Sequence, residues 1–527
     1  MSSTRFVSDQ PIAQISEDHL NREAFCEAFA QAFVAFPQKE SFVVALQGKW
    51  GSGKTSILNM TKQKIEEINK DLPYEERMIT IPFNPWNCTD TDQLIRQFFI
   101  TLCDAIEIND KDKKWGKVGD ALTKYSSAFE FTKYIPVVGE ITSDVLNGVS
   151  SVGKSICEVS DKKVENISYQ KERVEEALME FSGKILIIID DIDRLPNNQI
   201  RLIFQLVHAI AGFPNTIYLL SYDPEIVVRA LEEIHQNNGR EYLDKIVQVP
   251  FDVPPLPLIA LKNEITAYFE PLIGEAFYTD FDHERWSLTI KNILLTFMHS
   301  VRDLKRLYNC FLFSWYAVKD EANFIDLLLI CMLKTFSPSI YSWVFENRES
   351  LIDDPDRTFP SEEVYWYNKE KEIEALCPAL PSSVFETLVL LFPSSNKLVD
   401  TDNEYSKYSL SKDPNTNYIE KRICSPRYFN IYFTLSLDSI MVPSRKIDAS
   451  LTTMSKDELK DFLNSVTDQH LLSNYLEDIN VKSLKIGTNV RLIRSFGTMP
   501  KTVGCSLYKG HPFHFSCLKY LIRVQYR

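Results

Sequence analysis

A chain of 527 residues is too long for one compact domain, so about two to four folding units are expected. Hydrophobic residues make up 44% and charged residues 25%, proportions that exclude a wholly disordered chain. The 58 basic and 72 acidic residues leave a net charge of −14. The surface as a whole therefore repels a phosphate backbone, and any contact with nucleic acid needs a local basic patch.

Five apolar runs and the segments between them predict an α/β fold. The strands are predicted at Ser41–Gln47, Met78–Phe83, Lys184–Asp190, Thr216–Ser221 and Lys245–Val249. Helical periodicity predicts helices at residues 16–35, 54–69, 167–182, 198–211 and 225–236. Strands that alternate with helices indicate a mostly parallel sheet with helices on both faces.

Changes in composition divide the rest of the chain. Residues 105–165 are predicted to be an insertion within a core of residues 1–255, which a cluster of prolines closes. Residues 256–336 are predicted to form a helical extension, and 337–481 a mixed, mostly helical region of unknown role. The last segment, 482–527, holds nine Lys and Arg and no acidic residue. This basic tail fits nucleic-acid contact, an acidic membrane surface or a solvated terminus.

The cellular setting follows from what the sequence lacks. The ten cysteines include no CxxC pair, which favours reduced thiols. The first nine residues contain no apolar signal core, and the uncharged stretch 202–222 is broken by Pro214 and Asn215. We therefore expect a cytoplasmic protein without a transmembrane span, and a peripheral contact with the inner membrane face stays open.

The strongest motif lies between the first predicted strand and the next helix. The segment 48–55, Gly-Lys-Trp-Gly-Ser-Gly-Lys-Thr, fits G-x-x-x-x-G-K-[ST]. Such a loop wraps polyphosphate with backbone N–H groups, adds a lysine charge at the β- and γ-phosphates, and offers a hydroxyl to Mg²⁺. The predicted nucleotide-binding residues are Gly48, Trp50, Gly51, Ser52, Gly53, Lys54, Thr55 and Ser56.

A second part of the site is predicted at the end of another strand. Five apolar residues, 185–189, precede Asp190 and Asp191, so both carboxylates reach the carboxyl edge of a parallel sheet. Asp190 is predicted to hold Mg²⁺ together with Thr55, and Asp191 to orient or deprotonate the attacking water. The alternative is a solvated acidic turn.

Several motifs together resemble the KAP family of P-loop NTPases, over roughly residues 8–320. The resemblance rests on the loop with its internal tryptophan and on segments 9–11, 18–22, 83–87, 190–194, 242–250 and 302–306. It implies an ATP-binding core of the additional-strand type, in which one strand is inserted between the P-loop strand and the strand of Asp190. It also implies a helical extension.

The resemblance also implies further site residues. Ser221 falls at the position that contacts the γ-phosphate or the attacking water, with Asp223 as the alternative, and either residue could instead cap the helix that begins at Pro224. Arg302 is expected to reach towards phosphate, although a solvated helix face fits equally. Arg194 is predicted either to act as an arginine finger or to pair with a neighbouring aspartate.

One departure from the family separates this chain from many members. Those members carry paired membrane spans in the insertion, whereas here its longest uncharged run is nine residues, 145–153.

Trp86, in the segment 83–87, is predicted to pack in the core rather than to stack on a base.

The leading functional hypothesis is an ATPase whose hydrolysis drives a conformational or assembly switch, with self-association or a macromolecular partner. The resemblance adds a role in bacterial antiviral defence. The rivals are a nucleotide-dependent scaffold with little hydrolysis and a nucleic-acid sensor that uses the basic tail. Only the resemblance favours ATP over GTP, because the chain lacks the Asn/Thr-Lys-x-Asp motif that reads guanine.

Overall fold

The computed structural model describes residues 6–36, 40–87, 91–109, 116–129, 169–180, 183–210, 212–235, 238–274, 281–352, 361–400, 403–410, 414–436 and 441–468. They divide into two compact units. The α/β unit comprises the described residues of Asp9–Leu261 and His299–Asp303, and the helical unit comprises those of 6–8, Lys262–Met298 and 304–468. Most of the predicted insertion and all of the basic tail lie outside the described residues.

A five-stranded parallel sheet forms the centre of the α/β unit, in the order β2-β3-β4-β1-β5. The strands are β1 (Phe42–Gln47), β2 (Met78–Phe83), β3 (Lys184–Ile189), β4 (Thr216–Tyr222) and β5 (Val249–Asp252). Because β4 lies between β1 and β3, the inserted strand that the resemblance implies is confirmed. The parallel arrangement brings the carboxyl ends of β1, β3 and β4 to one edge, where the loops that follow them meet.

Alternate residues of the strands face two apolar layers. Ile187 and Tyr218 pack into one layer, whereas their neighbours Leu186 and Leu219 pack into the other. Strands buried on both faces explain the continuous Ile, Leu and Val runs in the sequence. The predicted α/β fold with helices on both faces is therefore confirmed.

Within the part of the chain that the structure describes, two helices cover one face of the sheet, α1 (Glu23–Ala35) and α2 (Lys54–Asp71). Six described helices cover the other face: α3 (Thr91–Asn109), α4 (Gly116–Phe129), α5 (169–179), α6 (Asn197–Gln205), α7 (Pro224–His235) and α8 (Gly239–Ile246). A π-helical turn, Leu206–Ile210, continues α6. Short 3₁₀ turns precede α1 and follow β2 and β3, at Ile15–Glu17, Pro85–Asn87 and Ile192–Arg194.

One predicted strand is wrong. The segment expected to form a strand at Lys245–Val249 contains the end of α8, and β5 begins only at Val249. Leu243 and Ile246 are both buried, and their spacing of three residues is helical rather than alternating. Pro250 lies within β5, an edge strand, where a missing N–H is tolerated.

Beyond β5 the described residues form helices and the turns between them, and they contain no strand. The α-helices are Leu258–Ile273, His283–Leu288, Leu295–Phe297, Val301–Val318, Phe324–Phe336, Pro338–Glu346, Arg348–Leu351, Glu362–Leu376, Pro381–Leu391, Glu404–Leu410, Pro414–Ile419, Ile431–Thr434, Ser444–Thr452 and Lys456–Asp468. A π-helical turn, Thr289–Leu294, joins the second and third of these. Among the described residues, no helix has both the length and the hydropathy that crossing a bilayer requires.

A charged cluster lies in the core of the helical unit. Asp326 is fully buried and pairs with the guanidinium groups of Arg285 and Arg422, each of which is 1% exposed. Both guanidinium groups also donate to the carbonyl of Leu390. The cluster ties three segments that are distant in sequence to one helix.

Candidate functional site

The glycine-rich loop leaves β1 and enters α2 in the conformation that its glycines allow. Gly51 and Gly53 have φ angles of +84° and +93°, a region that residues with a side chain rarely adopt. Gly48 has no room for a side chain, because a Cβ there would lie 2.6 Å from Ser52 Oγ. The loop is therefore built from the glycines that the motif requires.

Lys54, the first residue of α2, points back across the loop. Its Nζ donates to the carbonyl of Gly48 at 2.7 Å and to Asp193 Oδ2 at 3.1 Å. The side chains of Lys54 and Asp193 are only 8% and 7% exposed. The lysine of the motif is thus held in place by a carboxylate that the sequence analysis did not assign to the site.

The other half of the predicted site is assembled beside the loop. Thr55 Oγ1 donates to Asp190 Oδ2 at 2.7 Å, joining the start of α2 to the end of β3. Asp190 Oδ1 accepts from the backbone N–H of Asp191 at 2.8 Å. A hydroxyl and a carboxylate in contact are oxygen donors of the kind that Mg²⁺ prefers. The structure brings together the two residues that the sequence predicts as metal ligands.

Asp191 has an unusual backbone and an unusual environment. Its φ of +58° is in the left-handed region, which Asp and Asn tolerate better than most residues. Arg194 Nε lies 2.8 Å from Asp191 Oδ1, so Arg194 forms the ion pair that was one of its two predicted roles. Burial, and then the charge of Asp190, raise the pKa of Asp191 above its ordinary value, against the opposing effect of Arg194.

Ser221 lies near the end of β4, beside the P-loop strand. It is completely buried, and its Oγ has no hydrogen-bond partner among the described residues. By strand alternation its side chain is on the same face as Leu219, which is the face that α2 covers. Asp223 has a different role, since its Oδ1 accepts from the backbone N–H of Glu225 at 3.0 Å and so caps the start of α7.

Trp50 protrudes from the loop between two arginines. Its side chain is 62% exposed, and the guanidinium carbons of Arg194 and Arg302 lie 5.6 and 5.5 Å from its ring centre, within cation–π range. Arg302 also lies against the loop, with its Cδ 3.3 Å from where a Cβ on Gly51 would be. Its Nε donates to Asp9 Oδ2 at 2.5 Å. Arg302 therefore adjoins the loop but is paired with a carboxylate.

The two serines of the motif differ in their surroundings. Ser52 Oγ is buried and has no hydrogen-bond partner among the described residues, whereas Ser56 Oγ accepts from the backbone N–H of Ile12 at 3.3 Å. Asn59 donates to the carbonyl of Ile12 at 2.9 Å. The segment before α1 is thus fastened to α2, and Ser56 takes part in that contact.

Arg22 supports the glycine-rich loop through its guanidinium group, although the sequence motifs predict no site role for it. Its Nη1 donates to the carbonyl of Ser52 at 2.8 Å, and its Nη2 to the carbonyl of Pro254 at 3.0 Å. The side chain is 7% exposed. Arg22 ends a segment that carries the family resemblance, so that motif was the signal that could have identified it.

The prediction that Trp86 packs in the core is wrong. The side chain is 55% exposed. Its turn lies against the turn Ile192–Arg194, at the edge of the sheet where the site is assembled. The turn of Trp86 therefore adjoins the site, and the side chain does not fill the interior.

Comparisons with known proteins found one family model and one curated relative. The family model of the KAP family P-loop domain matches residues 22–316. The phage T7 exclusion protein of Escherichia coli (strain K12) is 25% identical over 382 residues, which are 66% of this chain and 50% of that protein. The chain thus spans about half the length of the curated relative it matches.

Similarity to solved structures is weaker. The Aeropyrum pernix ORC2 protein in its ADP form has a TM-score of 0.30 and 12% identity, over 71% of this chain and 84% of that chain. The Aeropyrum pernix ORC1 protein in complex with DNA has a TM-score of 0.26 and 13% identity, over 68% and 83%. Similarity at this level says nothing about the function of the present chain.

Proposed function

The chain belongs to the KAP family of P-loop NTPases, and we propose that it binds and hydrolyses ATP with Mg²⁺. The observation that carries the proposal is the contact of Thr55 Oγ1 with Asp190 Oδ2 at 2.7 Å, immediately beside a lysine whose Nζ lies over the loop. The glycines supply backbone N–H groups for the phosphates, and Lys54 supplies positive charge for the β- and γ-phosphates.

Each remaining residue has a role in this proposal. Thr55 and Asp190 would hold Mg²⁺, and the ion would supply positive charge that offsets the negative charge of the phosphates. Asp191 orients the attacking water, and its raised pKa brings it closer to that of a useful base. Ser221 offers a buried hydroxyl with no partner among the described residues, which fits contact with the γ-phosphate or the water. Arg302 leaves Asp9 to stabilise phosphate charge.

A specific observation also favours the scaffold alternative, in which nucleotide is bound but scarcely hydrolysed. Asp191 forms an ion pair with Arg194, whose Nε lies 2.8 Å from Asp191 Oδ1, and this contact occupies one carboxylate oxygen. A carboxylate held in an ion pair is a poorer base than a free one. Under this alternative, Arg194 stays on Asp191 when nucleotide binds.

The proposed biological role is a nucleotide-driven switch in defence against bacteriophage. It is supported by the relative whose name states phage exclusion. The switch acts through self-association or a macromolecular partner. The cytoplasm is the proposed location, and a nucleic-acid contact through residues 482–527 is the least supported part, since the chain carries a net charge of −14.

The decisive experiment measures nucleotide binding and turnover for matched variants. Lys54→Ala is expected to lose ATP·Mg²⁺ binding in calorimetry, because the main phosphate charge is gone, whereas Lys62→Ala on the exposed part of the same helix keeps it. Asp191→Asn is expected to keep binding and to lower turnover at least about tenfold. Wild-type affinity in Lys54→Ala contradicts the site.

Turnover decides between enzyme and scaffold. Purified protein is assayed with ATP and with GTP, in the presence and absence of DNA or RNA, and Asp190→Asn is expected to need more Mg²⁺ for half-maximal rate. Tight binding without turnover in all of these conditions favours the scaffold.

A further inference from the structure

Asp193 lies two residues beyond the predicted catalytic carboxylate, and the proposed function gives it no task. Its Oδ2 accepts from Lys54 Nζ at 3.1 Å and from the backbone N–H of Asp223 at 3.0 Å. One oxygen therefore joins the lysine of the P-loop to the residue that caps α7. The side chain is 7% exposed, so water screens this contact poorly.

We propose that Asp193 is a positioning residue that holds Lys54 while the loop is free of phosphate, and that bound phosphate displaces it. This inference rests on the proposed nucleotide site. Lys54 has three N–H groups, and Gly48 and Asp193 each take one. A phosphate group that approaches the same ammonium brings negative charge next to the carboxylate, so the two anions compete for one cation.

The displacement has a consequence at the start of α7. When Lys54 turns to phosphate, Asp193 Oδ2 keeps its hydrogen bond from the N–H of Asp223, and the carboxylate charge on that bond is no longer shared with an ammonium. The hydrogen bond to Asp223 then strengthens. Asp193 thus links occupancy of the phosphate site to the turn between β4 and α7.

The first test removes the competing charge and keeps the shape. Asp193→Asn is expected to lower the Kd for ATP and for ADP about fivefold to tenfold in calorimetry, and to leave a control such as Asp252→Asn within about twofold of wild type. Asp252 ends β5 at the same edge of the sheet and is exposed. Because Lys54→Ala alone is expected to lose binding, adding Asp193→Asn to that variant is expected not to restore it.

The outcomes separate this inference from the proposed function. If wild type binds nucleotide and Asp193→Asn binds it equally or more weakly, the displacement is wrong. The proposed nucleotide site still stands in that case. Absence of binding by wild type and by Asp193→Asn overturns both. Asp193→Ser, which also removes the charge, provides the same comparison if the asparagine variant does not fold.

A second measurement follows Asp223 directly. Hydrogen exchange of the peptide that contains the Asp223 amide is expected to slow when ATP is added to wild type, and to be fast with and without ATP in Asp193→Ser. If saturating ATP does not slow hydrogen exchange of this peptide in wild type, the link between Asp193 and the start of α7 is wrong.

Discussion

Arg22 offers the sharpest test of how the loop is held. Its guanidinium group spans two carbonyls, those of Ser52 in the loop and Pro254 after β5, at 2.8 and 3.0 Å. Because a Cβ on Gly53 would lie 2.6 Å from Arg22 Nη1, the loop and the guanidinium are in close contact. Arg22→Met keeps the apolar stem and removes both hydrogen bonds.

The expected loss follows from opposing terms. A hydrogen bond from a charged donor contributes about 1.5–3 kcal/mol, so two of them contribute about 3–6 kcal/mol. Burial of the charge opposes this, and the same burial lowers the pKa of Arg22, against a raising effect of Asp18. We expect Arg22→Met to lower the free energy of unfolding by about 2–4 kcal/mol. Arg22→Lys is expected to lose about half of that, since one ammonium cannot reach both carbonyls.

The assay is urea denaturation of wild type and variants, with Arg229→Met as the control on the exposed side of α7. Nucleotide affinity is measured on the same samples, and Arg22→Met is expected to weaken it about tenfold, because the loop is no longer pre-organised. If Arg22→Met unfolds within about 0.5 kcal/mol of wild type and binds nucleotide equally well, the supporting role is wrong.

Three further predictions address other parts of the molecule. Trp50, 62% exposed between two guanidinium groups, is expected to change its fluorescence when ATP binds, and Trp50→Phe should abolish that change. Asp191→Asn is expected to melt at a higher temperature than wild type at pH 7 in calorimetry. Folding raises the pKa of this carboxyl, so its ionisation at pH 7 lowers the stability of the wild type. The difference in melting temperature should shrink as pH falls through the raised pKa and should be absent below the ordinary pKa of 3.8. Asp326→Asn is expected to lower the free energy of unfolding of the helical unit by about 3–5 kcal/mol in urea, since it leaves two buried arginines without their carboxylate, and an unchanged midpoint would contradict this.

Most of the α/β fold was predictable because its signals are local. Four of the five strands were predicted within one residue at each end, since each is a short run of β-branched and apolar residues between turn residues. The strand at Lys245–Val249 was wrong because Leu243, Ile246 and Val247 look equally suited to a strand or a helix over so few residues. The inserted position of β4 came from the family resemblance and not from the residues themselves.

The candidate site also has features that the sequence predicts and features that it does not predict. The loop and the contact of Thr55 with Asp190 follow from motif spacing, because the motif itself encodes a strand, a turn and a helix start. The exposure of Trp86 was not predictable, since an aromatic ring after a strand fits core and surface alike and only the tertiary structure decides.

Asp193 shows why a motif can be identified while its mechanism is missed. In the sequence, Asp190, Asp191 and Asp193 are three carboxylates after one strand, and a strand end brings all of them to the same edge. Their roles separate only in three dimensions: one contacts Thr55, one contacts Arg194, and one contacts Lys54. The left-handed backbone at Asp191 begins the 3₁₀ turn that places Asp193 beside Lys54. No residue in the segment 190–194 predicts that turn from sequence. The lysine that the proposed function directs towards phosphate is therefore paired with a carboxylate in the loop after β3, so nucleotide binding would have to break that contact before making its own.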